Sequence, residues 1–315
     1  MTLTRSVGQT HPIPIIDATS IDNVSHFYTT YAHTPLIIRG IFPPDHPLCQ
    51  VQLEDLEAWF GNASFSVYSW DKMDDEMIPT TDVFNGVRQG VNQYNVVDHK
   101  IVGTPLGDLF VTPHFLRFNW LLGSPIHFDP LEKSLVLSPK ESFTPLHLDA
   151  YGMQGWMYLI SGYKTWEFYA PKYVHNAFDP VYREFFNPRK HRLEQFPLLA
   201  LTEKYVGTMQ AGDLIYFPAG WIHQVETTET SWGVGGNLIN DYQIETHMYW
   251  WLWERTFKLN GSLNLKQAIL DMPHERFSGT QGIARSQAAI QFCQNWEQRM
   301  QDINALAWRP KNTAS

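Results

Sequence analysis

A short stretch in the middle of the chain, Thr144-Pro145-Leu146-His147-Leu148-Asp149, holds a His-X-Asp pair. On a strand, residues two apart face the same side, so this imidazole and this carboxylate converge. Downstream, Gly220-Trp221-Ile222-His223 brings a second imidazole to the start of another expected strand. Two nitrogens and one oxygen on one face of an octahedral ion leave three adjacent positions open, which suits non-haem Fe(II) and oxygen chemistry. A lone His-X-Asp is common in globular proteins, so the claim depends on what surrounds it.

Two further features surround it. The Gly212-Asp213 turn, the apolar run 214–217 and the turn Pro218-Ala219-Gly220-Trp221 together present His223. Gly162-Tyr163-Lys164 is expected to turn between two apolar strands, 155–160 and 165–169, with its lysine entering the interior. A buried ammonium needs an anionic partner. A dicarboxylate cosubstrate would supply one through a charge-assisted hydrogen bond, and the Thr144 hydroxyl could reach the same carboxylate.

The elements that must hold these residues read as mainly β. Short runs at 115–120, 134–137, 144–149, 155–160, 165–169, 207–209, 214–217, 223–227 and 232–237 are separated by turn residues, which predicts a β-sandwich or jelly-roll barrel. Upstream, helices are expected at 20–32, 52–60 and 103–110, strands at 35–40 and 64–70, and a polar surface loop over 71–93. Residues 175–205, with Pro180, Pro188, Pro197 and the basic run Arg189 to Arg192, read as a surface insertion. Past residue 240 the apolar spacing becomes helical, with Trp250, Trp251 and Trp253 in one turn. This gives a division into 1–240, carrying the site, and 241–315, a helical region whose aromatic surface is expected to form a homodimer.

Composition narrows the partners. With 23 Lys+Arg against 32 Asp+Glu and a net charge of −9, the surface offers no general attraction for nucleic acid or an anionic membrane. Cys49 and Cys293 are the only cysteines. They make neither a disulfide framework nor a thiolate metal site and fit a reducing, cytoplasmic setting. No apolar run is long enough for a signal peptide or a membrane span.

On these motifs the sequence resembles the Jumonji-C (JmjC) family of Fe(II)- and 2-oxoglutarate-dependent oxygenases of the cupin superfamily, over about residues 35–240. The resemblance is most specific over 144–170 and 207–240. It implies a double-stranded β-helix core with flanking helices, and it implies iron ligation by His147, Asp149 and His223. It also makes Lys164 and Thr144 the residues that hold the far carboxylate of 2-oxoglutarate, and Asn237 a polar neighbour of the cosubstrate. The phrase Leu159-Ile160-Ser161-Gly162-Tyr163-Lys164-Thr165-Trp166 is closest to the small hydroxylase-type members, which implies hydroxylation of a protein, peptide or small-molecule substrate. One departure is that Gly155-Trp156-Met157-Tyr158 lacks the asparagine several relatives carry before the lysine.

Other readings stay open at this stage. N-demethylation uses the same site on a different substrate, as would hydroxylation of an RNA base. A cupin-type metal-binding scaffold would keep the barrel without 2-oxoglutarate, and the intact Thr144 and Lys164 argue against it. A metal isomerase or dioxygenase of the wider cupin group would add a third histidine or a glutamate near the first pair, and none lies between Asp149 and Lys164. Ile126-His127-Phe128-Asp129 is a second His-X-Asp, but without a threonine three residues ahead it reads as a turn or a surface pair. Tyr94 is a candidate for the cosubstrate pocket wall.

Overall fold

The computed structural model describes residues 8–69, 74–91, 94–119, 133–179, 184–244, 246, 247, 249 and 250. Its strands are β1 (Thr10–Pro12), β2 (Ile15–Asp17), β3 (Leu36–Arg39), β4 (Ser64–Ser69), β5 (Asp74–Pro79), β6 (Val96–Lys100), β7 (Ser134–Ser138), β8 (Phe143–His147), β9 (Gln154–Tyr169), β10 (Phe178–Asp179), β11 (Glu184–Phe185), β12 (Lys204–Gln210), β13 (Leu214–Phe217) and β14 (Ile222–Leu238). The fold is mainly β with a jelly-roll core, as the sequence leads one to expect.

β9 and β14 pair antiparallel along their whole length, with register shifts between Thr227 and Gly233. Gly162, at φ +85°, sits opposite this irregular region, and a Cβ there would run into the backbone of Thr230 and Ser231. Each long strand therefore serves two half-sheets. The first half of β9 lies between β13 and the second half of β14, which continues to β7, β6, β4 and β5. The second half of β9 lies between β12 and the first half of β14, which continues to β8.

Alternation along the strands sorts side chains between the layers. On β9, Trp156, Tyr158 and Ile160 pack outward against the N-terminal layer, while Met157 and Leu159 join Trp166, Phe168, Phe217 and Val225. The N-terminal layer includes the helix Leu53–Phe60, whose first turn is closed where Asp55 accepts from the Gln52 N–H at 2.8 Å. Burial of Phe27, Phe84, Phe110 and Phe115 in this layer stabilises the fold by on the order of 2 kcal/mol per side chain.

The structure corrects several expectations. Gly162-Tyr163-Lys164 is not a turn: it lies inside β9, and the expected strands 155–160 and 165–169 are one element, as are 223–227 and 232–237. In the described part of the expected strand at 115–120 the chain instead forms a 3-10 turn, His114–Leu116, whose Phe115 and Leu116 are buried. Within the expected loop 71–93 stand the edge strand β5 and the helix Thr80–Arg88, which buries Val83, Phe84 and Val87. The basic run is partly neutralised, since Lys190 and His191 both pair with Glu184.

The described residues between 241 and 250 dock on the barrel. Trp250, 1% exposed, packs with Leu146, Leu148, Tyr169 and Ile222. Its indole fills the space over Gly152 and Gly220, whose backbones meet through Gly220 N–H to Gly152 O at 3.0 Å. Both glycines have positive φ, +60° and +80°, and a Cβ on either would overlap the indole. Gly220→Ala is therefore expected to cost about 2–5 kcal/mol, from the left-handed backbone and the overlap together, read as a shift in chemical denaturation. The helices expected beyond residue 251, and the dimer they implied, lie outside the described residues, as does the His127/Asp129 pair. Among the described residues no helix is long and apolar enough to cross a membrane.

Candidate metal centre and cosubstrate pocket

β8 and β14 place the two imidazoles. His147 and His223 are direct cross-strand partners, with ring centroids 4.2 Å apart. Leu146 and Leu148 point outward into the cluster around Trp250, which turns His147 and Asp149 toward a cavity of about 530 Å³. The strand ends at His147, but Asp149 keeps an extended backbone as it opens the next turn, so the same-side relation survives.

One carboxylate oxygen, Asp149 Oδ1, lies 3.5 Å from His147 Nε2 and 3.7 Å from His223 Nε2. The donor atoms of the three residues all lie within 4.8 Å of one another, so a single ion could be held by all three. The other ring nitrogens are tied to backbone carbonyls, His147 Nδ1 to Pro145 O at 2.8 Å and His223 Nδ1 to Trp221 O at 3.1 Å. Those bonds put the ring proton on Nδ1 and direct the Nε2 lone pair at the common point, as metal-binding histidines require. Asn237 Nδ2 donates to Asp149 Oδ2 at 2.7 Å, which orients the carboxylate. This donor set fits a divalent iron ion.

The electrostatics agree. Burial, reinforced by His147, pushes the His223 pKa down to about 4, so the ring is neutral and able to bind metal near neutral pH. Burial would raise the Asp149 carboxyl, but His223, His147 and Asn237 outweigh it and hold the group below the usual carboxylate range. Phe217, Phe168 and Trp166 ring His223 at centroid distances of 4.4, 5.4 and 5.7 Å, giving the centre a dry wall.

Lys164 comes from the second half of β9 and is 4% exposed. Its Nζ donates to Ser138 Oγ at 2.7 Å and Thr227 Oγ1 at 3.0 Å. No carboxylate of the described residues is bonded to it, and burial pushes its pKa down to about 7. Thr144 lines the same cavity, as do Asn95, Ser138 and Lys164. The six residues singled out in the sequence, Thr144, His147, Asp149, Lys164, His223 and Asn237, thus surround one cavity. Asn237 stands beside Asp149 rather than beside Lys164.

Tyr94 does not line this cavity. It packs with the N-terminal core, and a Cβ on Gly86 would collide with its ring. The next residue, Asn95, faces the cavity instead. Ser138, Thr227 and Asn95 carry no local signal, because they gather around Lys164 only through long-range pairing of β6, β7, β9 and β14, Asn95 by way of Ser138.

Comparison with known proteins agrees with this geometry. A family profile described as a cupin-like domain matches residues 69–256. The JmjC domain-containing histone demethylation protein 1 of Caenorhabditis briggsae is 25% identical over 200 residues, 56% of this chain and 18% of that protein. The arginine-specific demethylase JMJ20 of Arabidopsis thaliana is 29% identical over 129 residues, 39% of this chain and 26% of that protein. The 2-oxoglutarate and iron-dependent oxygenase JMJD4 of Gallus gallus is 27% identical over 146 residues, 44% of this chain and 34% of that protein. The chain thus spans about a third or less of the length of these relatives.

Proposed function

Because the chain belongs to the cupin-like domain family, as a JmjC member of the cupin superfamily, we propose that it is an Fe(II)- and 2-oxoglutarate-dependent oxygenase that hydroxylates a protein or peptide side chain. The observation that carries this reading is the convergence of His147, Asp149 and His223 on one point of a cavity whose wall also holds the buried ammonium of Lys164.

When bound, the metal and cosubstrate supply the oxidising chemistry, one atom of O2 entering a substrate C–H bond and the other entering succinate as CO2 leaves. The chain's residues bind, orient and exclude water. His147, Asp149 and His223 hold the ion, and the backbone carbonyls of Pro145 and Trp221 fix both ring tautomers. Lys164 and Thr144 receive the far carboxylate. Phe217, Phe168 and Trp166 keep solvent from the His223 side. No side chain is needed as a general base.

Incubation with Fe(II), 2-oxoglutarate and O2 is expected to release succinate, with the rate raised by substrate. A metal-loaded protein that neither binds 2-oxoglutarate nor forms succinate would overturn the proposal. Several relatives are named demethylases, which favours a second outcome at the same centre. Hydroxylation of a carbon beside nitrogen collapses to formaldehyde, so formaldehyde in step with succinate would identify demethylation, and a stable product 16 Da heavier would identify hydroxylation.

A further inference from the structure

The residues that follow β14 grip both of the turns next to the metal ligands. Asn240 fixes the start: its Oδ1 accepts from the Tyr242 N–H at 3.1 Å, and its Nδ2 donates to the Tyr28 hydroxyl at 2.6 Å. Gln243 then reaches the turn 218–221 that delivers His223, its Oε1 accepting from the Ala219 N–H at 2.7 Å. The Nε2 of the same amide donates to Ala32 O at 2.8 Å and to the Tyr216 hydroxyl at 3.2 Å, so the side chain is held at both ends. Ile244, His247 and Trp250 follow at helical spacing and are all buried, whereas Tyr249 is half exposed. One face is thus turned to the barrel. Trp250 lies over Gly220, in the His223 turn, and over Gly152, in the turn that Asp149 opens. It shares a cluster with Leu146 and Leu148, which flank His147, and with Ile222, which precedes His223.

Gln243 and Trp250 do not line the cavity, yet between them they cover the backbone that places Asp149 and His223. That backbone must be held closely, since metal-donor distances have to fall within about 0.2 Å of the preferred value. The two turns meet through Gly220 N–H to Gly152 O, and neither glycine has a side chain to fill the space outside that bond. The indole fills it. We propose that the described residues from Asn240 to Trp250 form a strap that sets the separation of the Asp149 and His223 turns, with Trp250 and Gln243 as positioning residues of the metal centre. This rests on the iron reading above and adds to it residues that act from outside the cavity. The effect runs both ways: where the docked strap strengthens metal binding by some factor, bound metal strengthens docking of the strap by the same factor.

The test is titration of Co(II) into the full-length chain, read by the visible absorption of the bound ion, together with amide hydrogen exchange over residues 240–250 with and without Co(II). Trp250→Phe and Gln243→Leu are each expected to weaken Co(II) by about 10-fold, the lower end of the range for groups that orient metal ligands. Both should alter the absorption of the bound ion, because the angles between its ligands change. In the wild type, Co(II) should slow exchange over 240–250, although Gln243, His247 and Trp250 stand outside the cavity. Phe84→Leu, in the N-terminal layer, is the control. It should lower the melting temperature at least as much as Trp250→Phe, yet leave Co(II) affinity within about twofold and the absorption unchanged, as expected of a distant site. If Trp250→Phe does not fold, Gln243→Leu, which keeps the indole, carries the same comparison. Strap variants whose Co(II) affinity and absorption match those of Phe84→Leu would overturn the strap, as would exchange over 240–250 that ignores Co(II). Wild-type protein that binds no Co(II) would overturn the metal centre itself.

Discussion

Asp149→Ala is expected to reduce Fe(II) affinity by more than about 100-fold and to bring succinate formation to background. Loss of groups that merely orient metal ligands costs about 10–100-fold, and removal of a ligand should exceed that. Asp149 is the one anionic member of the set, and its Oδ1 is the atom both Nε2 positions approach. Without it, only the two imidazoles remain, that of His223 held neutral by a pKa near 4. Asn237→Ala removes the bond to Asp149 Oδ2 and a longer one to Gln154 O at 3.3 Å, and should fall within the 10–100-fold range for metal while leaving the fold intact. Metal titration followed by anaerobic addition of 2-oxoglutarate separates the two. The ordering fails if Asn237→Ala costs more than Asp149→Ala.

Lys164→Met is expected to change stability and cosubstrate affinity in opposite directions. Without ligand, the ammonium is buried and bonded only to hydroxyls, so exchange for an apolar side chain of similar length should raise the melting temperature. With ligand, the same change removes one partner of a buried ion pair, and 2-oxoglutarate should bind about 100–1,000-fold more weakly. The pH dependence follows from the pKa of about 7. An unfolded lysine keeps its proton up to its ordinary value of 10.5, so between about pH 7 and 10.5 the unfolded state binds more protons and ligand-free stability rises with pH. Cosubstrate binding has the reverse sign. The carboxylate favours the charged form, so above pH 7 binding must take up a proton, and affinity should fall by up to about tenfold per pH unit. Titrations in two buffers of different ionisation heat would show that uptake in the wild type. Lys164→Met should show none at this site, and an unchanged uptake would place the titrating group elsewhere.

The sequence and the structure agree best where the signal is local. A His-X-Asp on a strand, a Pro-X-Gly-Trp turn before a histidine and a lysine between apolar runs can each be read from a few residues, because period-two alternation decides which side chains converge. Gly162 shows where that stops. A glycine that ends a strand and one that bends a strand look alike in sequence, and only the paired length of β14 makes this one a bend. Residues 115–120 fail for a related reason: a short apolar run does not separate strand from turn, and here Phe115 is drawn onto Phe27 at 4.8 Å. The helix Thr80–Arg88 did carry a signal, Val83, Phe84 and Val87 at helical spacing, hidden among polar neighbours. Asn95, Ser138 and Thr227 carried none, since their meeting with Lys164 depends on the register of strands far apart in the chain.

That register has a consequence for which acids the pocket will accept. His223 stands opposite Phe168 and Thr227 opposite Lys164 on the shared ladder of β9 and β14, so four residues of strand, ~13 Å, separate the imidazole's backbone position from that of the ammonium. The ladder works as a ruler. On the proposed function a keto acid lies between a metal at one mark and a cation at the other, and neither mark can slide without breaking hydrogen bonds along both strands. A dicarboxylate one methylene shorter could satisfy one end at the expense of the other. Selection by chain length is thus built into the pairing of the two longest strands, before any side chain touches the middle of the ligand.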